Sequence, residues 1–160
     1  MLSAVDFQLH AAIRGTSPAD YKCPDEDAGC PLTRHVLCTF AQTDGSASKM
    51  VSFMTCWDSY TKGTAAARTQ HCASQISLDW SPISTCVAGN QGDALLQDAV
   101  AYFKKRFPDR AAGGIFGVPH VEVDGAEQES LAYLKLLVAL CDTGITVPAC
   151  KGGVTQTIVS

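Results

Sequence analysis

The distribution of cysteines constrains the fold of this chain more than any other sequence feature. They are even in number, spread along the whole chain and never spaced as Cys-x-x-Cys: Cys23, Cys30, Cys38, Cys56, Cys72, Cys86, Cys141 and Cys150. A dispersed, even set is typical of a disulfide framework, whereas zinc sites group their cysteines in close pairs. Because disulfides persist in oxidising compartments, the pattern predicts a secretory-pathway location, either lysosomal or extracellular.

The start of the chain does not match that location. The segment Met1–Asp6 has neither the basic residues nor the apolar run of a signal peptide, and Asp6 interrupts the first candidate run. We therefore expect the natural amino terminus to lie upstream of Met1.

Composition indicates a folded domain without an electrostatic reason to bind polyanions. The chain is 46% hydrophobic and carries 16 acidic against 12 basic residues, for a net charge of -4. This balance predicts no nucleic-acid partner and no attraction to anionic membranes, and the longest apolar stretch, Leu136–Cys141, is too short to cross a bilayer. We expect one domain over residues 1–150 and a C-terminal tail over 151–160.

Hydrophobic periodicity predicts a mainly helical middle. Apolar residues recur at three- and four-residue intervals in several segments, with Pro or Ser at their starts and Gly or Pro beyond their ends. The predicted helices are Pro31–Gln42, a helix from Ser46 or Ser48 to Tyr60, Ala65–Ser74, Gln91–Phe107 and Glu129–Cys141. Asp79–Pro82 is either a turn or the start of a further helix.

Two segments carry strand patterns. Val5–Ile13 alternates apolar and polar residues until Gly15 ends it, which predicts a strand. Later, Val118-Pro119 precedes a short alternating run that ends in Asp124-Gly125, a pair typical of tight hairpin turns. Between Ser17 and Gly29, proline and glycine predict an exposed loop.

The cysteine spacing C-x6-C-x7-C over Cys23–Cys38 resembles the signature of the gamma-interferon-inducible lysosomal thiol reductases. The order of the later cysteines and of the Val118-Pro119 strand is similar to that family as well. The residues that depart from the signature are Pro24, Asp25, Glu26, Gly29 and Thr33.

The resemblance implies an α/β, thioredoxin-like fold with a helical insertion, lacking its first strand and catalytic helix. It also implies that a Cys-x-x-Cys outside this sequence reduces disulfide-containing protein substrates. In thioredoxin-like proteins, a cis proline beside the redox pair contacts the bound substrate, so Val118 and Pro119 are the expected substrate-binding residues. No catalytic residue is expected in this chain itself.

Sequence alone does not select among the 105 pairings that eight cysteines allow. If cysteines pair so as to enclose short loops (local closure), the predicted bridges are Cys23–Cys30, Cys72–Cys86 and Cys141–Cys150. Cys38 is then left to pair with Cys56. The acidic residues between Cys23 and Cys30 oppose thiolate formation, so this bridge is expected to be structural.

No cofactor or metal site is expected, because no histidine or carboxylate cluster has ligand spacing. His120 could sense acidic pH, although a packed histidine is the simpler interpretation. His10, His35 and His71 are expected to be surface or half-buried residues.

Three functions therefore remain open. The first is a thiol-disulfide oxidoreductase whose full-length form reduces protein disulfides; whether the chain itself is an enzyme stays open, because it contains no Cys-x-x-Cys. The second is a non-catalytic, secreted module that binds a partner. The third is a metal-held cytosolic domain, which predicts eight free or metal-bound thiols.

Overall fold

Helices dominate the described part of this chain. The computed structural model describes residues 6–113, 116, 121–128, 133–145 and 150. The elements within these residues are α1 (Pro31–Phe40), α2 (Ala47–Ser59), α3 (Ala65–Gln75), α4 (Trp80–Ala88), α5 (Asn90–Arg106), α6 (Pro108–Ala112), β1 (Val121–Val123), β2 (Ala126–Gln128) and α7 (Tyr133–Asp142). The chain divides into two compact units: the larger spans Gln8–Phe116, and the smaller comprises Met1–Phe7 and Gly117–Ser160.

The predicted α/β, thioredoxin-like fold is wrong. Within the described residues, β structure is limited to the β1–β2 hairpin and a single antiparallel bridge between Arg14 and Lys22. The described part of the predicted strand Val5–Ile13 has no regular secondary structure. Its apolar end packs on helices instead of pairing in a sheet, because Ile13 is fully buried in a core cluster with Leu96 of α5.

The helices begin close to where their start signals predict. The α1 helix begins at Pro31. Amides in the first turn of a helix have no acceptor within the helix, so proline, which has no amide hydrogen, loses no hydrogen bond there. Ser46 caps α2 by accepting a hydrogen bond from the amide of Lys49 at 3.4 Å, and Thr64 caps α3 in the same way. The Asp79 segment proves to be the start of α4. Pro108 ends α5, as predicted, and opens the short α6.

The core of the larger unit consists of three clusters, each containing half-cystines. One joins the segment before α1 to α5, the second joins α1, α3 and α4, and the third joins α2 to α3. Their principal buried members are, respectively, Ile13, Tyr21, Cys23, Cys30 and Leu96; Cys38, Ala73, Ile83 and Cys86; and Phe53, Trp57 and Cys72.

The smaller unit contains the hairpin and α7. Val121 pairs with Gln128 and Val123 with Ala126 in antiparallel register. The turn residues Asp124 and Gly125 have φ values of 50° and 79°, and positive φ at both central positions is the geometry that Asp-Gly favours in two-residue hairpins.

The last described helix ends as its sequence predicts. The α7 helix is followed by Gly144, whose φ of 83° is in the left-handed region and whose amide donates to the carbonyl of Cys141 at 3.0 Å. The start of the predicted helix, 129–132, and the predicted tail, 151–160, lie outside the described residues. None of the helices in the described segments has the length and apolar character needed to span a bilayer.

Candidate functional site

All eight cysteines form disulfides, as the even, dispersed set predicts. The pairs are Cys23–Cys30, Cys38–Cys86, Cys56–Cys72 and Cys141–Cys150. The first and last coincide with local closure, whereas the predicted Cys72–Cys86 and Cys38–Cys56 pairs are wrong. Four disulfides are compatible with a secreted protein that folds in an oxidising compartment.

The two incorrect pairs follow from which face of α1 meets which helix. Phe40 packs edge-on against an aromatic ring of α2, but Cys38 lies two residues earlier, about 200° around the helix. Cys38 therefore points to the cluster that contains Cys86 of α4. On the other side, Cys56 of α2 meets Cys72 of α3 in a separate cluster.

The Cys23–Cys30 bridge lies where the acidic loop enters α1. It closes a sequence separation of seven residues, and both cysteines are buried, with exposures of 6% and 0%. Cys30 is the N-cap residue of α1 and has a left-handed backbone, with φ 55°. The amide of Gly29 donates to the carbonyl of Tyr21 at 2.8 Å, which fixes the loop beside the bridge.

Glu26 supplies the capping group that Cys30 lacks. The side chain of Cys30 makes no capping hydrogen bond. Instead, the Glu26 carboxylate accepts hydrogen bonds from the amides of Leu32, at 2.6 Å, and Thr33, at 3.1 Å, and from the Thr33 hydroxyl. These amides are among the donors that a helix start leaves unpaired, and the carboxylate also complements the helix dipole.

The electrostatics of this bridge differ from the sequence-based expectation. The sequence shows no cationic group that would favour a thiolate, but Cys30 lies at the positive end of the α1 dipole. The Glu26 carboxylate lies at the same helix end and offsets that dipole. The helix dipole favours a thiolate at Cys30 and the Glu26 carboxylate disfavours it, so the two effects oppose each other. Together with the burial of both cysteines, this agrees with a structural role for the bridge in the oxidised protein.

Glu26 also brings a third potential ligand to the two sulfurs. One ligand atom each from Cys23, Glu26 and Cys30 lies within 4.8 Å of the others. In the disulfide form the sulfurs are bonded to each other, so they present no thiolates to a cation. Sequence spacing missed this cluster because Glu26 is a loop residue that no metal-binding motif includes.

The predicted substrate-binding residues Val118 and Pro119 lie outside the described residues, as does His120. Their assignment stays a prediction.

A second polar group is buried between helices of the larger unit. His35 of α1 is 9% exposed, stacks parallel to Trp80 of α4 and has its Nδ1 3.1 Å from the hydroxyl oxygen of Thr69 on α3. That hydroxyl donates to the carbonyl of Ala65, so it is free to accept a hydrogen bond from Nδ1–H. Desolvation by burial, and secondarily the charge of Arg34, lower the pKa of His35.

The other described histidines stack on tyrosines nearer the surface. His10 lies 3.7 Å from Tyr102, and His71 lies 4.1 Å from Tyr60, measured between ring centroids. The expectation of surface or half-buried histidines therefore fails for His35 alone among the three. Its helical spacing could have shown this, because His35 precedes the buried Cys38 by three residues and shares its face.

Comparison of the chain with family models, curated proteins and solved structures gives no match.

Proposed function

We propose that this chain is a secreted, disulfide-braced helical module that binds a protein partner and does not catalyse thiol exchange. The observation that carries the proposal is the state of its sulfur atoms: all eight cysteines are paired. Thiol reduction needs a thiolate that attacks a substrate disulfide and a second cysteine that resolves the mixed disulfide. The oxidised chain has neither.

The depth of two bridges, Cys23–Cys30 and Cys38–Cys86, supports a structural role for them. Their four cysteines are at most 6% exposed, whereas Cys56 and the Cys141–Cys150 pair are partly exposed. Regulatory and catalytic disulfides are typically strained or exposed. The buried Cys38–Cys86 bridge instead ties α1 to α4 and helps to hold a rigid surface, which lowers the entropy lost on binding.

Two measurements test the module. Counting thiols in the denatured, non-reduced chain should give none, whereas eight thiols would favour the metal-held cytosolic domain instead.

Chemical cross-linking in native secretory material should then identify a partner, and calorimetry with the purified partner should give a defined affinity for the oxidised chain. A reduced and alkylated chain is the matched control and should not bind. Equal binding by both forms would contradict the proposal, and so would catalytic reduction of insulin by the chain alone.

A second candidate is the non-redox portion of a lysosomal or extracellular thiol reductase. The C-x6-C-x7-C frame over Cys23–Cys38 supports it. On this hypothesis the substrates are disulfide-containing proteins, a Cys-x-x-Cys outside these residues reacts with them, and Val118 and Pro119 contact them.

An insulin-reduction assay separates the two candidates. The product of the complete gene should precipitate insulin catalytically at pH 5 if the reductase hypothesis is right, and the present chain should not. If the complete product has no Cys-x-x-Cys and no activity, the reductase hypothesis is wrong and the binding module is the remaining candidate.

A further inference from the structure

We propose that an acidic peptide segment of a partner protein docks on one face at the carboxyl end of α5. The face comprises Leu9, His10, Tyr102, Lys105 and Arg106, and we call it the Tyr102 face. All five residues belong to the larger unit. This assignment rests on the binding function proposed above and specifies the chemistry of the partner.

Both large hydrophobic side chains that are exposed among the described residues belong to this face. Leu9 is 38% exposed and Tyr102 is 37% exposed. The ring of His10, the neighbour of Leu9 in the chain, stacks on the ring of Tyr102 with 3.7 Å between centroids. Exposed apolar residues scattered singly need no explanation, but here the two occur together. A tyrosine ring already held by a stack is suited to anchor an apolar side chain of a partner.

Basic side chains flank Tyr102 on its carboxyl side. Lys105 and Arg106 follow Tyr102 by three and four residues, which places them on the same side of α5, one turn later. Both are exposed. The chain as a whole has a net charge of -4, so this is a local positive region on a negative molecule. Charge complementarity therefore favours a segment that carries carboxylates at this position.

An acidic residue bounds the face at its other end. Asp98 precedes Tyr102 by four residues, is exposed and lies on the same side of the helix. Along α5 the surface therefore changes from negative, through aromatic, to positive. Carboxylates of a bound peptide are repelled near Asp98 and attracted near Lys105, so one orientation of the peptide is favoured.

The helix dipole alone does not account for this arrangement. The last turn of α5 contains Lys104, Lys105 and Arg106, and cations there stabilise the carboxyl end of a helix. The dipole requires no apolar residue beside them, yet Leu9 and Tyr102 leave apolar surface in water at this place. Cations next to exposed apolar side chains are the combination that an acidic segment with an apolar residue would cover.

Selection from a phage library of short random peptides tests the partner chemistry, with the oxidised full chain as bait. We expect the enriched peptides to carry several Asp or Glu residues beside an apolar residue. The affinity of a synthetic copy of an enriched peptide, measured by fluorescence anisotropy, should fall as salt is added, because salt screens exposed charges. Failure to enrich any peptide, or enrichment of peptides without acidic residues, would overturn the proposal.

Variants locate the binding face. Lys105→Glu and Tyr102→Ser should each weaken binding of the enriched peptide by about tenfold or more. Lys104→Glu is the matched control, because it makes the same charge change in the same helical turn, about 200° around the helix from Tyr102. Its effect should be less than about threefold, since solvent and salt screen the more distant charge. Circular dichroism checks that each variant is folded. Equal losses in Lys104→Glu and Lys105→Glu would contradict the assignment.

Two other occupants of the face predict different results. A sulfated polysaccharide would bind through charge alone, so heparin binding that Tyr102→Ser leaves unchanged, without any enriched peptide, would count against an acidic peptide. A second copy of this chain would give a dimer that Lys105→Glu dissociates. Such a dimer, detected by analytical ultracentrifugation, would replace the proposed partner with self-association.

The native partner obtained by cross-linking separates this proposal from the binding function itself. A partner that binds the wild-type chain, Tyr102→Ser and Lys105→Glu equally well would refute the Tyr102 face and leave the module intact. Equal binding of that partner by the oxidised and reduced chains would contradict the module. The peptide affinities of the oxidised chain and its variants would still test the Tyr102 face in that case.

Discussion

Arg34 of α1 forms an ion pair with Asp93 in the first turn of α5. The same guanidinium donates to two carbonyls at the end of α4, from Nε to Val87 at 2.6 Å and from Nη2 to Gly89 at 2.7 Å. The Val87 carbonyl lies in the last turn of α4, where carbonyls have no partner within their own helix, whereas the Gly89 carbonyl also accepts from the amide of Gly92 at 3.1 Å. A carboxylate in a first turn complements the helix dipole. One planar cation therefore links the ends of two helices to a third.

Loss of Arg34 should destabilise the protein more than loss of the charge on its partner. Arg34→Ala removes the donor to the Val87 carbonyl and one of two donors to the Gly89 carbonyl, and we expect the free energy of unfolding to fall by about 2 kcal/mol. Asp93→Asn should cost about 1 kcal/mol or less, because the Asp93 side chain is 48% exposed and solvent screens the pair. Urea unfolding followed by circular dichroism, with all disulfides intact, measures both values. Equal costs would show that the carbonyl hydrogen bonds contribute little.

Gly92 should resist replacement by alanine even though it lies in a helix. An added Cβ would come within 2.6 Å of Arg34 Nε and 2.7 Å of the Cys86 carbonyl oxygen. Helix propensity alone predicts that Gly→Ala stabilises by about 1 kcal/mol, whereas this clash predicts a loss of about 2 kcal/mol or more. The sign of the change in thermal unfolding decides between the two effects. Gln91→Ala, an exposed neighbour in the same turn, is the control and should change stability little.

The disulfides should differ in their contributions to stability according to the loops they close. Replacing Cys38 and Cys86 by Ala removes a closure of 48 residues, worth about 4 kcal/mol on the chain-entropy model, against about 2 kcal/mol for Cys23 and Cys30 with a separation of seven. Denaturant unfolding of the two double variants should show this order.

Peptide mapping of the non-reduced chain tests the pairing itself. The fragments that contain Cys38 and Cys86 should appear cross-linked. A Cys38–Cys56 peptide would contradict the structure.

Acid should destabilise the protein through His35. Burial lowers its pKa in the folded state below the ordinary value of 6.5, with a smaller effect from Arg34. The unfolded chain therefore binds more protons below about pH 6.5, and the stability that neutral His35 contributes is lost as the pH falls toward the folded pKa. We expect wild-type stability to decrease from pH 7 to pH 5 more steeply than that of His35→Gln.

Two variants refine that measurement. Thr69→Val removes the hydroxyl that accepts from Nδ1 and should lower stability at pH 7 by about 1 kcal/mol. His71→Gln, at an exposed position, is the control and should keep the wild-type pH dependence. Parallel pH profiles for wild type and His35→Gln would show that His35 does not set the acid sensitivity.

Local signals predicted most of the elements. Pro31, Ser46 and the Asp124-Gly125 turn fix helix starts and a hairpin through interactions with residues at most four positions away. Such contacts depend on φ preferences and on unpaired amides next to the side chain that satisfies them. These local contacts do not depend on how distant parts of the chain pack.

The strand prediction over Val5–Ile13 failed for a different reason. Alternation shows which side chains share one face of an extended segment, but it does not supply a partner strand. The described helices offer an apolar surface to Ile13 instead, so burial is achieved without a sheet. The thioredoxin-like fold depended on that sheet and failed with it.

The sequence by itself determined that the cysteines would pair, where five of the helices would lie and how the hairpin would turn. Only the tertiary structure decided that Cys38 meets Cys86, that Glu26 caps α1 and that Arg34 joins α4 to α5. Each of these depends on which helix faces become neighbours, through contacts that are separated by six to 59 residues in the chain. Packing of several faces at once selects such contacts, because no local preference distinguishes one distant partner from another.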